Sequence, residues 1–241
     1  MVARWRPSET TGPSPPTRMC VLICRVGEKP LLAANRDELY ARPFSAPRRW
    51  MAGTPFWAPR DEEEGGTWIG VNAAGLMAGI TNRSRLKEEP GRSSRGHLIS
   101  GVLAAGGFDE ADVWLRERLD AAAHNPCQVY IAQGNRARVF AVDGDYEERT
   151  LRQGIHVLSN LHDPGEIDFG LADDAGWDEM RPILQDTEPR LPRGFAVCKD
   201  AGWRGTVASA LIEPGTRFLF APGPPDTVAY QPVPGYASGD S

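Results

Sequence analysis

The sequence predicts an α+β layered fold in which helices cover antiparallel sheets. Two observations carry this: many short strand-like runs joined by tight turns, and helical stretches grouped after the first hairpins. The 241 residues suffice for one large domain with a sizeable core, and no internal repeat divides them.

The elements follow in order. Cys20 to Val26 is a Val- and Ile-rich run, Gly27 to Lys29 a turn and Leu31 to Ala34 a second run, which together read as a hairpin. Ala41 to Gly66, rich in Pro, Arg and acidic residues, lacks periodicity and reads as a long, partly structured loop. Trp68 to Asn72 and Leu76 to Thr81, separated by Ala73, Ala74 and Gly75, form a second hairpin. Ser94 to Ala105 and Asp109 to Ala123 carry helical spacing; Val113, Leu115 and Leu119 share a face of the second, and Asp109 with Asp112 suits its start. Strands are expected at Cys127 to Ala132, Ala137 to Val142 and His156 to Ser159, then a helix around Ala175 to Leu184. Gly194 to Cys198, Thr206 to Ile212, Arg217 to Ala221 and Thr227 to Val233 complete a strand-rich C-terminal half.

Composition excludes several functions. With 41% hydrophobic and 24% charged residues and a net charge of −5, the chain has no basic surplus for nucleic acid or an anionic membrane. No apolar run approaches the ~20 residues of a membrane span. Cys20, Cys24, Cys127 and Cys198 form no CxxC pair and are too few for a disulfide scaffold, which fits a reducing cytoplasm. His97, His124, His156 and His162 lack ligand spacing, and no P-loop or GxGxxG occurs, so neither metal nor cofactor is expected. Residues 1–18 hold four prolines and no apolar signal core. They read as disordered: an arm that orders on binding, a removable pro-segment, or a start placed too early with Met19 as initiator.

Four stretches could carry chemistry. A lone strand cysteine such as Cys20 ordinarily behaves as a small buried hydrophobe. If Met19 initiates and is removed, Cys20 gains a free α-amine of pKa ~8 beside a thiol of ~8.5, and the amine can accept the thiol proton. In AANRDELYARP, strand alternation puts Asn35 and Asp37 on one face and Arg36 and Glu38 on the other. A hairpin partner of the Cys20 strand is placed to bring Asp37 to that amine; the alternative is a solvated turn with surface ion pairs. GGTWIGVNAAGLMAGITN ends its second strand in Asn82, a natural oxyanion donor or a plain polar exit turn. HVLSN ends likewise in Asn160, before the turn-forming Asp163-Pro164.

Together MCVLI, LAANRDELYARP, GGTWIGVNAAGLMAGITN, SSRG at 93–96, VLSN and AVCKDAGWRGTVASALI resemble the Asn-Arg-Asp-Glu (NRDE) family, the group that includes the transport and Golgi organisation protein 2. The resemblance runs from Met19 to about Val233. At greater distance the family is similar to N-terminal nucleophile (Ntn) hydrolases of the choloylglycine hydrolase and penicillin V acylase type. That similarity implies a four-layer αββα sandwich with Cys20 as nucleophile, Asp37 as its orienting aspartate, Asn82 in the oxyanion hole and Asn160 as a second polar residue. It makes Asn35, Arg36, Trp68 and Arg204 candidate binding residues. It also marks two departures: Ala34 stands where those hydrolases have an arginine, and Gly205-Thr206-Val207 where many members read Gly-Thr-Arg. The implied function is an amidohydrolase or acyltransferase on a small-molecule, non-peptide amide, or a non-catalytic holder of a haem-like or lipid ligand, since eukaryotic relatives are linked to haem trafficking and lipid homeostasis.

Overall fold

A computed structural model describes residues 20–83, 88–160, 162, 165–189 and 196–236. The expected extension at 1–18, with Met19, lies outside them. One sheet has the order β10-β1-β2-β11-β12-β13 and the other β3-β4-β5-β6-β7-β8-β9. The first comprises β1 (Val21–Val26), β2 (Leu31–Leu39), β10 (Gly154–Ser159), β11 (Arg204–Glu213), β12 (Arg217–Ala221) and β13 (Gln231–Pro232). The second comprises β3 (Phe44–Trp50), β4 (Phe56–Asp61), β5 (Ile69–Asn72), β6 (Met77–Asn82), β7 (Cys127–Gln133), β8 (Arg136–Asp143) and β9 (Asp145–Leu151). Every strand pairing is antiparallel.

Three apolar interiors stack these elements into four layers. Leu22, Leu32, Met77 and Tyr130 lie between the two sheets. Leu98, Val102 and Leu115, from helices α1 (Gly96–Ala104) and α2 (Phe108–Ala121), pack on Phe56, Leu76 and Phe140 of the second sheet. Met180 and Leu184 of α3 (Trp177–Leu184) cover Val21, Ile23 and Leu31 of the first. Strand β1 shows why its run is continuously apolar: Leu22 and Cys24 enter the inter-sheet core while Val21 and Ile23 enter the α3 core, so both faces of the pleat are buried. The architecture is the expected αββα sandwich.

Several elements differ from expectation for identifiable reasons. The stretch 41–66 is not a loop but the β3–β4 hairpin, closed by Trp50 stacked on Phe56 at 5.3 Å. Its register shifts between Ser45 and Arg48, and Pro59, which has no N–H to donate, sits opposite that irregularity. Polar, half-exposed β3 at the sheet edge therefore shows no apolar period. Strand β9 escapes sequence reading for the same reason, being an almost wholly exposed edge. In α2 the buried face is Phe108, Ala111 and Leu115, whereas Val113, half a turn away, is 55% exposed. The strand expected at 194–198 is absent over 196–198, and its first two residues lie outside the described set; that at 227–233 shrinks to Gln231–Pro232.

Register then fixes which of the candidate site residues meet at one end of the sandwich. Val21 lies opposite both Ser159 and Asn35, so Cys20 stands beside Asn160 on one side and Arg36 on the other. Asn82 closes β6 in the facing sheet. The segment after β4 approaches the start of α1 so closely that a Cβ on Gly66 would lie 2.5 Å from the Gly96 carbonyl carbon, and the Thr67 amide donates to the Gly96 carbonyl at 3.2 Å. Because backbone, not a flexible side chain, fills that space, Gly66→Ala is expected to cost about 1–3 kcal/mol. Urea unfolding with an unchanged midpoint would refute this contact.

Candidate active site

A cavity of about 320 Å³ opens at that end, lined by Cys20, Arg36, Asp37, Glu38, Asp61, Trp68 and Asn82 from the sheets and by residues of the strap 88–96. Cys20 precedes β1, half-buried. Its main-chain N–H donates to Asn160 Oδ1 at 3.2 Å, and its Sγ lies 3.8 Å from the Asp37 carbonyl oxygen. Asn160 is itself held by a tight turn. Gln128 Nε2, reaching from β7, donates to the carbonyls of Ser159 (2.9 Å) and His162 (3.0 Å), and Ser159 Oγ lies 2.9 Å from His162 Nδ1.

Asp37 is 5% exposed, and the Cys20 N–H donates to Asn160 rather than to its carboxylate. Lys199 Nζ donates to Oδ2 at 2.8 Å and Thr206 Oγ1 to Oδ1 at 2.7 Å; Thr206 Oγ1 in turn accepts the Lys199 amide at 3.0 Å. Burial pushes the Asp37 carboxyl up, and the Lys199 and Arg204 charges with the two hydrogen bonds offset this only in part. The Cys20 thiol is pushed up to about 11, chiefly by burial and then by the Asp37 charge. A peptide-linked Cys20 is therefore a weak nucleophile at neutral pH, since the thiolate is the reactive species.

The opposite face of β2 behaves as strand alternation requires. Arg36 Nη2 donates to Asp61 Oδ2 at 2.8 Å, and its guanidinium lies 4.3 Å from the Trp68 ring centroid. Arg42 Nε donates to the same Oδ2 at 2.8 Å. Burial pushes the Asp61 carboxyl up, but the Arg42 bond, the Glu64 amide and the two arginine charges hold it below the usual range. Asn35 does not line the cavity. Its Nδ2 donates to the Leu184 and Val197 carbonyls at 2.8 and 3.1 Å, and its Oδ1 accepts from Ser209 Oγ at 2.6 Å, so it ties α3 to the sheet. Arg204 also lies outside the lining, at the start of β11 with its guanidinium 5.0 Å from the Trp203 ring. Val207 is buried at a register shift in β11, so the cation on Asp37 comes from Lys199.

The outer wall is the strap. Asn125 and Glu89 exchange hydrogen bonds at 2.7 and 3.0 Å, His124 Nδ1 donates to the Ser93 carbonyl at 3.2 Å, and Arg95 Nη1 to that of Pro126 at 3.2 Å. The SSRG motif thus builds a wall, with Ser93, Ser94, Arg95 and Gly96 all facing the cavity. Sequence reasoning missed Lys199, Thr206, Asp61 and the strap. Lys199 and Thr206 lie within the quoted AVCKDAGWRGT landmark, but no local pattern ties them to Asp37 across more than 160 positions.

Two outcomes follow. Alkylation of Cys20 in the chain that retains residues 1–19 should accelerate about tenfold per pH unit from 7 to 10 without levelling near the ordinary thiol pKa of ~8.5; a plateau there contradicts the raised value. Lys199→Met strands a buried carboxylate, at a cost of about 3 kcal/mol at neutral pH. A carboxyl whose pKa folding raises favours the folded state at low pH. The deficit should therefore shrink as pH falls through the raised Asp37 pKa, in contrast to a pH-independent loss of packing.

The region 19–175 matches the family described as Transport and Golgi organisation 2. The Transport and Golgi organization 2 homolog of Mus musculus is 27% identical over 158 residues, and the homologs of Bos taurus and Homo sapiens are 32% and 31% identical over the same length. Each match covers 59% of this chain and 57% of the relative, so the chain spans little more than half the length of the curated relatives it matches. Among solved structures, the Caenorhabditis elegans N-acylethanolamine-hydrolyzing acid amidase ortholog superposes with a TM-score of 0.55 at 13% identity, covering 81% of this chain and 93% of that one. A mutant of the conjugated bile acid hydrolase from Clostridium perfringens gives 0.52 at 10% identity, covering 89% and 92%. At such identity these two show the fold alone, which is that of the Ntn hydrolases. With the αββα sandwich and the family match over most of its length, the chain belongs to the Transport and Golgi organisation 2 family.

Proposed function

We propose that this protein is a cysteine amidohydrolase acting on a small, non-peptide C–N bond, with Cys20 as nucleophile once it is the first residue. The observation that carries this is the pairing of the Cys20 nitrogen with Asn160 Oδ1 while its thiol lies on a cavity that also holds Asn82. In a chain beginning at Cys20 that nitrogen is an α-amine, which can take the thiol proton where a peptide N–H cannot. Sγ then attacks the carbonyl carbon, the oxygen takes up charge beside the Asn82 amide, and the C–N bond breaks with the proton passing to the leaving amine. Water hydrolyses the thioester, releasing the acid and restoring the thiol. Asp37, clamped by Lys199 and Thr206, keeps a negative charge and its main-chain carbonyl beside the sulfur. Of the two solved structures of like fold, one is named as an acid amidase and the other as a conjugated bile acid hydrolase, which supports the reading by analogy.

A haem or lipid holder draws less support, because the walls are mostly charged and polar, with Trp68 and Ile80 the main apolar contributors. Four free cysteines and no described helix long and apolar enough to cross a membrane fit the proposal of a cytoplasmic enzyme.

The chain should be prepared with Cys20 first and mixed with a panel of small amides. Expected are amine release, an acyl-Cys20 adduct in the intact mass, loss of both in Cys20→Ala, and a kcat lowered about 10²–10³-fold in Asn82→Ala. Absence of adduct and product in a folded, N-terminal Cys20 chain would defeat the proposal.

A further inference from the structure

Arg36 is 5% exposed and lines the cavity, yet its Nη1 has no hydrogen-bond partner among the described residues. Its surroundings cannot supply one by small adjustment. Nη2 is committed to Asp61 Oδ2, which also accepts from Arg42, while Asp61 Oδ1 accepts the amides of Glu63 and Glu64. One carboxylate therefore serves two guanidinium groups; Arg42 also reaches Glu63 Oε2 at 3.6 Å, whereas Arg36 has no second ion-pair partner among the described residues. The Trp68 ring lies 4.3 Å from the guanidinium and the Phe44 ring 5.7 Å, and the side chain borders the cavity, where a partner for Nη1 can be supplied. A buried charged donor left unpaired is costly, and a guanidinium edge is best matched by a carboxylate.

We propose that Arg36 Nη1, backed by Trp68, is a carboxylate subsite beside Cys20, so that the amide this cavity accepts carries one carboxylate a few bonds from its carbonyl. Register sets Arg36 next to Cys20 across β1 and β2, and both line the cavity, which places a carboxylate held there near the thiol. The inference about substrate rests on the amidohydrolase reading; the inference about anion binding does not.

The test uses N-acetylglycine and its neutral counterpart N-acetylglycinamide, titrated calorimetrically into the full chain carrying Cys20→Ala. The carboxylate should bind at least tenfold more tightly. Arg36→Lys, which keeps a charge for Asp61 but loses the second guanidinium edge, should abolish that preference while leaving the neutral amide within twofold. Equal affinities for the two probes, no binding of either, or an unchanged preference in a folded Arg36→Lys chain would each overturn the subsite. Should Arg36→Lys fail to fold, judged by circular dichroism, the comparison of the two probes alone decides. Carboxylate preference without turnover in the N-terminal Cys20 chain counts against the amidohydrolase only; turnover of neutral and anionic amides at equal rates counts against the subsite only.

Discussion

Strand β2 runs through the middle of its sheet with four consecutive polar residues, three of them buried, and everything at the functional end depends on how those groups are satisfied. Burying a polar group is tolerable only when it is hydrogen-bonded, and burying a charge only when it is paired. Asn35 and Asp37 meet this demand and Arg36 meets it in part, each by reaching a different part of the molecule. Asn35 reaches the end of α3, Arg36 the facing sheet through Asp61, and Asp37 the segment before β11 through Lys199. The strand thus acts as the place where three of the four layers are tied together, and the cavity forms where the ties converge.

This division also separates the lining of the cavity from its support within a single motif. Asp37 contributes a charge and a carbonyl beside the sulfur, while Asn35 contributes nothing to the cavity and holds the helix layer. Substitution at either position would disturb the site, but by different routes: loss of a local field in one case, loosening of α3 from β2 in the other. The bond from Gln128 to the Ser159–His162 turn plays a similar supporting part from the other sheet, since it fixes where Asn160 meets the Cys20 nitrogen.

Much of the layered fold is legible because apolar period and turn residues encode strands directly. The first two hairpins, both helices of the outer layer and β12 fall where the residues place them. Of the unread parts, β3 and β9 are edges facing water, so nothing in their composition distinguishes them from loop, while β4 is interior and largely buried but carries Pro59, Arg60 and Asp61, which break its apolar pattern. At the site, Cys20, Asp37, Asn82 and Asn160 can be singled out because each ends or begins a strand-like run. Lys199 and Asp61 cannot, since an ion pair between distant segments leaves no periodic trace. Arg204 illustrates the converse. Sequence places a cation at Arg204, beside Gly205-Thr206, and the residue that pairs with Asp37 is Lys199, on the segment before β11.

The strap 88–96 gives the cavity a wall encoded apart from the sheet that holds the thiol. It is tied to the rest by backbone carbonyls and by the reciprocal Asn125–Glu89 pair, contacts that depend little on the side chains it turns inward. Substitutions at Arg92, Ser93 or Ser94 can therefore reshape one side of the cavity while the strand register, and with it the alignment of Cys20 with Asn160, is preserved. The shape of the cavity and the placement of the thiol are thus written in separate stretches of the chain, and the one can change without rebuilding the other.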